Sequence, residues 1–534
     1  MEKTKFIPDF SNLCFTENGA LTHKTSGKVL ADQFGKAGSY RGRALETVFA
    51  EQSELWSEDE LMALRFPFYL RMITRKTKVN DDVVTEKVQK GQGARDEAFK
   101  RLLWVALKHK DTFYKNICFL PMVGSWKDLW TLLYYDVVNE TNFIDHKIIY
   151  ELINEGLKCK THSELIKKFM PRIKTASKCK TPWTQITNML AKEFANFNGL
   201  SYKQYNHLKT SGTAHDFQKL ICSQRYKDIN WNLIPGRALN NIATEKFLNK
   251  HGLIDNYTNW VMKQPTAKFT GYVYELGLEV AQDRENKMPL FRKMTIDKQF
   301  DELVKKATED GSPLGNVWCA LDTSGSMTHP VAGKVRAIDV CVSLGVFFST
   351  LNTGAFHDHV VMFDTTSRSL KLEGSFSDKI RQIYSQNIAW GNTNFQSIVD
   401  LMVKIRKEKP EIPLEDFPNT ILVVSDMQFD APYGSTTETN YEAMKSKLYE
   451  AFPNEFVDSM KFIWWDVVSR KKEDFPATLS DGGNYFFSGF DGSIITMLLG
   501  GEVAEIEKKT GEPITMEQII NAALWQEILS FVNV

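Results

Sequence analysis

The 534-residue sequence predicts a multidomain protein, all-α in its N-terminal part and α/β in its C-terminal part. Three observations carry this. The chain is too long for one ordinary hydrophobic core. Apolar residues recur at helical spacing through the N-terminal part. After "ATEDGSPLG" (Ala307–Gly315) short apolar strands alternate with helices, as in a mostly parallel sheet covered on both faces. The expected domains are therefore 1–310, helical and basic, and 311–534, α/β.

Along the helical part, "DEAFKRLLWVALKHKDTFYKNICFL" (Asp96–Leu120) sets Phe99, Leu102, Leu103, Val105 and Ala106 at helical spacing. "WKDLWTLLYYDVV" predicts a second helix, with Ser125 as its N-cap. "KTPWTQITNMLAKEFANF", with Pro182 near its start, and "EKFLNKHGLIDNYTNWVMKQ" predict further helices. "SWKDLW" at Ser125 is echoed by "RYKDIN" at Arg225, which suggests stacked helical hairpins of the solenoid kind. In the C-terminal part the expected order is strand "NVWCALD", helix "AGKVRAIDVCVSLGVFFSTLN" and strand "DHVVMFD", then helix "NFQSIVDLMVKIRK" and strands "NTILVVSD" and "KFIWWDVV".

Composition narrows the class. Hydrophobic residues at 43% and charged residues at 25% are those of a folded protein. No apolar run approaches the roughly 18–20 residues that cross a bilayer. "MEKTKFIPDFSN" lacks the apolar core of a secretory signal. The seven cysteines are odd in number, scattered and without a CxxC pair. Reduced thiols in an intracellular, cytoplasmic protein with no membrane partner are therefore expected, rather than a disulfide scaffold or zinc ribbon. The net charge of zero hides a division: residues 1–310 hold 48 Lys+Arg against 37 Asp+Glu, and 311–534 hold 18 against 29. Residues 151–250 are the most basic, with 17 against 7. Such segregation suits a polyanion-binding module joined to a different one, or a merely solvated basic face.

Ligands on parallel sheets bind beyond the carboxyl ends of the strands. "NVWCAL" ends there in Asp322, Ser324 and Ser326, a D-x-S-x-S loop that aims hard oxygens at one point. "WGNTNF" adds Thr393, and "ILVVSDMQF" adds Asp426. Carboxylate and hydroxyl oxygens suit Mg²⁺ or Mn²⁺. This pattern resembles the von Willebrand factor A domain and its metal-ion-dependent adhesion site. The resemblance implies that Asp322, Ser324, Ser326, Thr393 and Asp426 hold the metal, and that a protein partner donates a carboxylate to its free position. Competing chemistries find less support. "HPVAGKVR" lacks the flanking residues of a P-loop, and no G-x-S-x-G elbow surrounds Ser324 or Ser326. His357 and His359 read as surface residues more readily than as zinc ligands, and Cys159 and His162 lack a third catalytic partner.

The phrases "GQGARDEAFKRLLWVALKHKDTFYKNICFLPMVGSWKDLWTLL", "LSYKQYNHLK", "RYKDINWNLIPGRALNNIATEKFLNKH" and "KFIWWDVV…DFPATLSDGGNYFFSGFDGSIITMLL" resemble the Ro-like (TROVE-type) RNA-binding proteins, over residues 85–500 approximately. The likeness implies a ring of HEAT-like helical repeats, closed by or leaning on the adhesion-type domain. It also implies binding of small non-coding RNAs to a basic outer face, and of single-stranded ends of misfolded RNAs in the hole. "KKFMPRIKTASKCK" holds six basic residues, Lys167, Lys168, Arg172, Lys174, Lys178 and Lys180, and no acidic one. It is a candidate phosphate-contacting strip, its rival reading a solvated helix face. No aromatic recognition signature is evident, so contacts to phosphate should dominate. The expectation is a non-enzymatic, Ro-like RNA-binding protein. The alternative is a metal-dependent protein–protein adaptor without RNA binding.

Overall fold

Six strands form the sheet of the C-terminal half in this computed structural model: β1 (Val317–Asp322), β2 (His359–Phe363), β3 (Ser367–Lys371), β4 (Thr420–Ser425), β5 (Lys461–Asp466) and β6 (Asn484–Ser488). Their order is β6-β5-β4-β1-β2-β3, parallel except for the antiparallel edge pair β2–β3. The structure describes residues 10–78, 86–211, 216–309, 314–386, 388, 390–434, 437–495 and 514–534. Residues 310–313, within the "ATEDGSPLG" stretch, lie outside them.

β1 and β4 are buried at every residue, which accounts for their unbroken apolar runs. Burying each Val or Leu side chain stabilises by roughly 1.5–3 kcal/mol. The register sets Val424 beside Leu321 and Ser425 beside Asp466. The polar ends of β1, β4 and β5 therefore finish level with one another. The expected strands and helices of this half are present, the helix "AGKVRAIDVC…" beginning at Ala337 after a short hairpin (Pro330–Ala332 with Val335–Arg336). Besides that hairpin, two strands of the main sheet have no clear signal in the sequence. β3 is a short polar edge, and β6 follows a Gly-Gly turn with no flanking helix signal.

The chain divides into two compact units, and the cuts differ from the expected boundary at 310/311. One unit joins Met1–Arg41 to Pro235–Ala523; the other joins Gly42–Ile234 to Leu524–Val534. The reason lies in packing. Helix Val273–Gln282 runs along helix Ala337–Leu351, so closely that a Cβ at Gly277 would overlap the Ser343 hydroxyl. Helical periodicity marks such a segment as a helix but not which core it joins.

The N-terminal segment belongs to the sheet unit. A hairpin (Leu13–Phe15 with Leu21–His23) exchanges backbone hydrogen bonds with Phe475, at 3.0 and 2.8 Å. Helix Val29–Ala37 packs on β6, where a Cβ at Gly35 would lie 2.8 Å from that of Phe486. Its Lys36 is buried and donates to Asp466 Oδ2 at 2.9 Å and to Asp474. Burial pulls this ammonium down, but Asp466 and Asp474 outweigh it and hold Lys36 charged. Burial pushes Asp474 up to about 7; Lys36 opposes the rise and Asp466 adds to it. One ammonium cannot neutralise two carboxylates, which reconciles the two shifts.

Among its described residues the other unit is helical apart from one antiparallel strand pair, Ile73–Lys78 with Glu86–Gln92. The expected helix over 96–120 is two, Arg95–Lys108 and Lys110–Asn116, divided at His109. Helix Lys127–Val138 follows, but Ser125 does not cap it with its hydroxyl. Asp128 instead accepts from the Ser125 amide at 2.6 Å and from its hydroxyl at 3.0 Å. Thr181 caps helix Pro182–Phe197 in a reciprocal box with Thr184. Arg43, Glu51, Glu97 and Arg101 form a buried ionic network, with Arg101–Glu51 at 3.1 Å. Arg65 anchors the C-terminal strip by donating to the Val532 carbonyl at 3.1 Å and stacking over Trp525.

Candidate functional site

At the carboxyl ends of β1 and β4 the D-x-S-x-S loop and the Asp426 loop meet. The Asp322 carboxylate is wholly buried; its Oδ1 accepts the Ser324 amide at 2.9 Å and its Oδ2 the Ser425 hydroxyl at 2.5 Å. The Ser324 and Ser326 hydroxyls are 3.0 Å apart. Asp426 is also fully buried, and its Oδ2 has no hydrogen-bond partner among the described residues. Thr393 is buried on the neighbouring loop, which accepts the Gly325 amide through the Gly391 carbonyl at 3.2 Å. Its hydroxyl accepts from Asn18 at 3.4 Å. Three of the five expected ligands, Asp322, Ser324 and Ser326, are thus linked by hydrogen bonds, the charge of Asp426 acts on Asp322, and Thr393 has its oxygen turned to Asn18.

Burial, and then the charge of Asp426, pushes Asp322 up to about 7. Burial raises Asp426 as well, against the pull of Arg470. Two desolvated carboxylates that disfavour each other's charge, two adjacent hydroxyls and an Asp426 oxygen that is ion-paired to Arg470 without a hydrogen bond are a donor set that fits a hard divalent cation. Asp322, Ser324, Ser326 and Asp426 would hold it, with Thr393 in reach of the same loop. Its chemistry there would be compensation of the buried carboxylate charge. Among the described residues, no three His, Cys, Asp or Glu side chains gather as an all-protein metal nest. His357 lies by Asp358, and His359 meets Ser369 at 2.9 Å.

The sequence reading missed what surrounds this set. Arg470 places one guanidinium nitrogen 3.0 Å from Asp426 Oδ2, as an ion pair without hydrogen-bonding geometry, and donates to the Ser326 carbonyl at 3.0 Å. Its other nitrogen reaches Glu17 at 3.0 Å. Asn18 donates to the Gln428 carbonyl at 2.6 Å, and Gln428 donates in turn to Asp474 at 2.6 Å. The N-terminal hairpin therefore braces the Asp426 loop. Each of three loops here carries a non-glycine residue in the left-handed region: Trp390 (φ 52°), Met427 (φ 61°) and Ser469 (φ 51°). Such conformations cost of order 1 kcal/mol or more each and persist where the surroundings fix them, commonly at ligand sites.

The basic strip lies in the helical unit. Lys167 and Lys168 end helix Lys160–Phe169. Arg172, Lys174, Lys178 and Lys180, all exposed, follow on a stretch of irregular backbone with one turn at Ala176–Lys178. Among the described residues none of these four has an acidic partner. The neighbouring Lys209 is lowered by burial and then by the like charge of Arg172. Cys159 and His162 make no catalytic pair: the thiol meets Thr161 and the imidazole lies against Trp126.

The fold and these loops define an α/β domain with a buried carboxylate–hydroxyl cluster, carried on a chain with a separate basic helical unit. Residues 317–524 match a domain of unknown function, DUF7788. That span takes in all six strands and every candidate metal residue. The chain is also similar to the uncharacterized protein L728 of Acanthamoeba polyphaga mimivirus, 22% identical over 525 residues, covering 92% of this chain and 85% of that protein. Among the described residues no helix is long and apolar enough to cross a membrane.

Proposed function

We propose that the chain is a non-enzymatic, Ro-like cytoplasmic RNA-binding protein, its helices arranged as HEAT-like repeats. Its α/β domain is of the von Willebrand factor A kind. Small or misfolded RNA binds the strip of Lys167, Lys168, Arg172, Lys174, Lys178 and Lys180. Mg²⁺ or Mn²⁺ sits among Asp322, Ser324, Ser326, Thr393 and Asp426, where a partner's acidic group completes its shell. The observation that carries the reading is the exposed run from Arg172 to Lys180, cationic and without acidic partners among the described residues. A solvated face usually intersperses both signs, whereas a uniform strip raises the local phosphate concentration.

The test is filter binding of a single-stranded RNA across a salt series. Affinity falls by about 0.7 log units per log unit of salt for each phosphate contact. The triple variant Arg172→Glu, Lys174→Glu, Lys178→Glu binds more weakly and with a flatter slope. If it binds as the wild type does, the strip is a solvated face. The adaptor reading draws on Trp390, which is 40% exposed beside the candidate metal loops and resembles an interface anchor. Under that reading Trp390→Ala abolishes partner capture and RNA is not bound.

A further inference from the structure

Beside the basic strip, in the helical unit, a cavity of about 180 Å³ opens among Trp130, Phe169, Trp183, Lys127, Arg172 and Lys174. Of its aromatic lining, Trp130 is buried, while Phe169 and Trp183 are half-buried. Trp183 is held in place on two sides. Its ring centroid is 4.7 Å from that of Tyr134, and the Lys127 ammonium lies 5.1 Å from the centre of its ring. Helix Pro182–Phe197 sets its position, because the Thr181 box fixes the first turn. Among the described residues no acidic side chain lines the cavity.

We propose that this cavity is a single-nucleotide pocket: one unpaired base of a single-stranded RNA stacks against Trp183, and its phosphate rests on Arg172 and Lys174. The proposal rests on the RNA-binding reading and gives it a specific seat. Three features choose the ligand. Aromatic walls favour a planar π-face, which every nucleobase offers. The exposed cations Arg172 and Lys174 in the lining, with no carboxylate there among the described residues, favour an anion joined to that ring. Lys178 and Lys180 continue the positive charge beyond one phosphate, as suits a polymer charged at every unit. A phosphorylated tyrosine in a peptide shares the ring and the phosphate but not the repeating charge. A base within a duplex is stacked on its neighbours and cannot enter, so the pocket discriminates for single strands.

The experiment uses the full chain, a 12-residue oligoadenylate probe, a blunt RNA duplex, and Trp183→Ala and Trp183→Phe variants. Losing a stacked base lowers single-strand affinity by roughly 5- to 150-fold. Trp183→Ala should show that loss with the salt slope unchanged, whereas the Arg172/Lys174/Lys178 reversal flattens the slope. Trp183→Phe should keep most of the affinity, and duplex binding should not respond to either variant. Far-UV circular dichroism and melting of both variants separate loss of the pocket from loss of the fold. Adenosine monophosphate should compete with the oligomer better than inorganic phosphate does. If Trp183→Ala, folded, binds oligoadenylate as the wild type does while the charge reversal weakens binding, the pocket is refuted and the RNA reading stands. If wild type binds no RNA at all, both fall. If a phosphotyrosine peptide displaces the oligomer more effectively than adenosine monophosphate, the pocket belongs to a different ligand.

Discussion

Replacing Lys36 by methionine keeps the length of the side chain and removes only its charge, leaving Asp466 and Asp474 buried without their counter-ion. The ammonium is enclosed: its side chain is 4% exposed, and those of Asp466 and Asp474 are 3% and 1%. Breaking such a pair by deleting one partner costs about 3–5 kcal/mol. The sign of the pH dependence follows from Asp474. Its carboxyl is held at about 7 in the folded protein, against an ordinary value near 3.9 in the unfolded chain. The folded state therefore binds the proton more tightly, and this contribution to stability is present at acid pH and lost as pH rises through 7. In Lys36→Met the Asp474 carboxyl rises further, so the loss is largest at about pH 8 and shrinks at about pH 5.5, where Asp474 takes up a proton. Urea unfolding at the two pH values, followed by near-UV circular dichroism and limited proteolysis of the sheet unit, reads both effects. The double variant Lys36→Met, Asp474→Asn should recover much of the stability, because one buried carboxylate rather than two is left. A loss below about 1 kcal/mol at alkaline pH, or an additive double variant, would show that the lysine is not compensating these groups.

Mg²⁺ or Mn²⁺ at 100 times its dissociation constant should stabilise the protein by about 2.7 kcal/mol. Asp322→Asn should lose the resulting rise in Tm; a full rise in that variant means the metal binds elsewhere. Because Asp322 is held at about 7, the metal must displace a proton below that pH, so the rise in Tm should grow from about pH 6 to about pH 8. A fragment of residues 316–534 lacks the Lys36 helix and helix Val273–Gln282, so it should lose its near-UV signal while the same fragment joined to residues 1–41 and 235–315 regains it; a fragment with full near-UV structure alone would refute the bracing.

The elements that sequence reading found are those whose signal is local. β1 and β4 announce themselves by unbroken apolar runs, and the helices between them by their period. The oxygen loop is legible because Asp322, Ser324 and Ser326 are neighbours, and Asp426 because it ends a buried strand. What escaped depends on distant parts of the chain. Lys36 sits in "VLADQFGKA", where a lysine reads as the wet side of a helix, and only Asp466 and Asp474 make it a core residue. Arg470 opens the charged run "RKKED", which reads as solvated loop. The wall of the proposed nucleotide pocket is assembled from Trp130, Phe169 and Trp183 on three different helices, so no linear aromatic motif exists to be read.

The Lys36 contact joins residues 430 positions apart. At about 5–20 residues per second, a ribosome takes roughly 20–90 s to travel between them. Throughout that interval the Val29–Ala37 helix has left the tunnel and its seat does not yet exist. The Gly42–Ile234 segment, by contrast, has nearly all of its own partners at hand once it is made. Synthesis therefore offers the helical unit first, with a waiting leader in front of it, and the sheet closes over that leader last. The leader's apolar side, with Phe34 and Ala31, is the surface a nascent-chain chaperone would cover until strand β6 emerges.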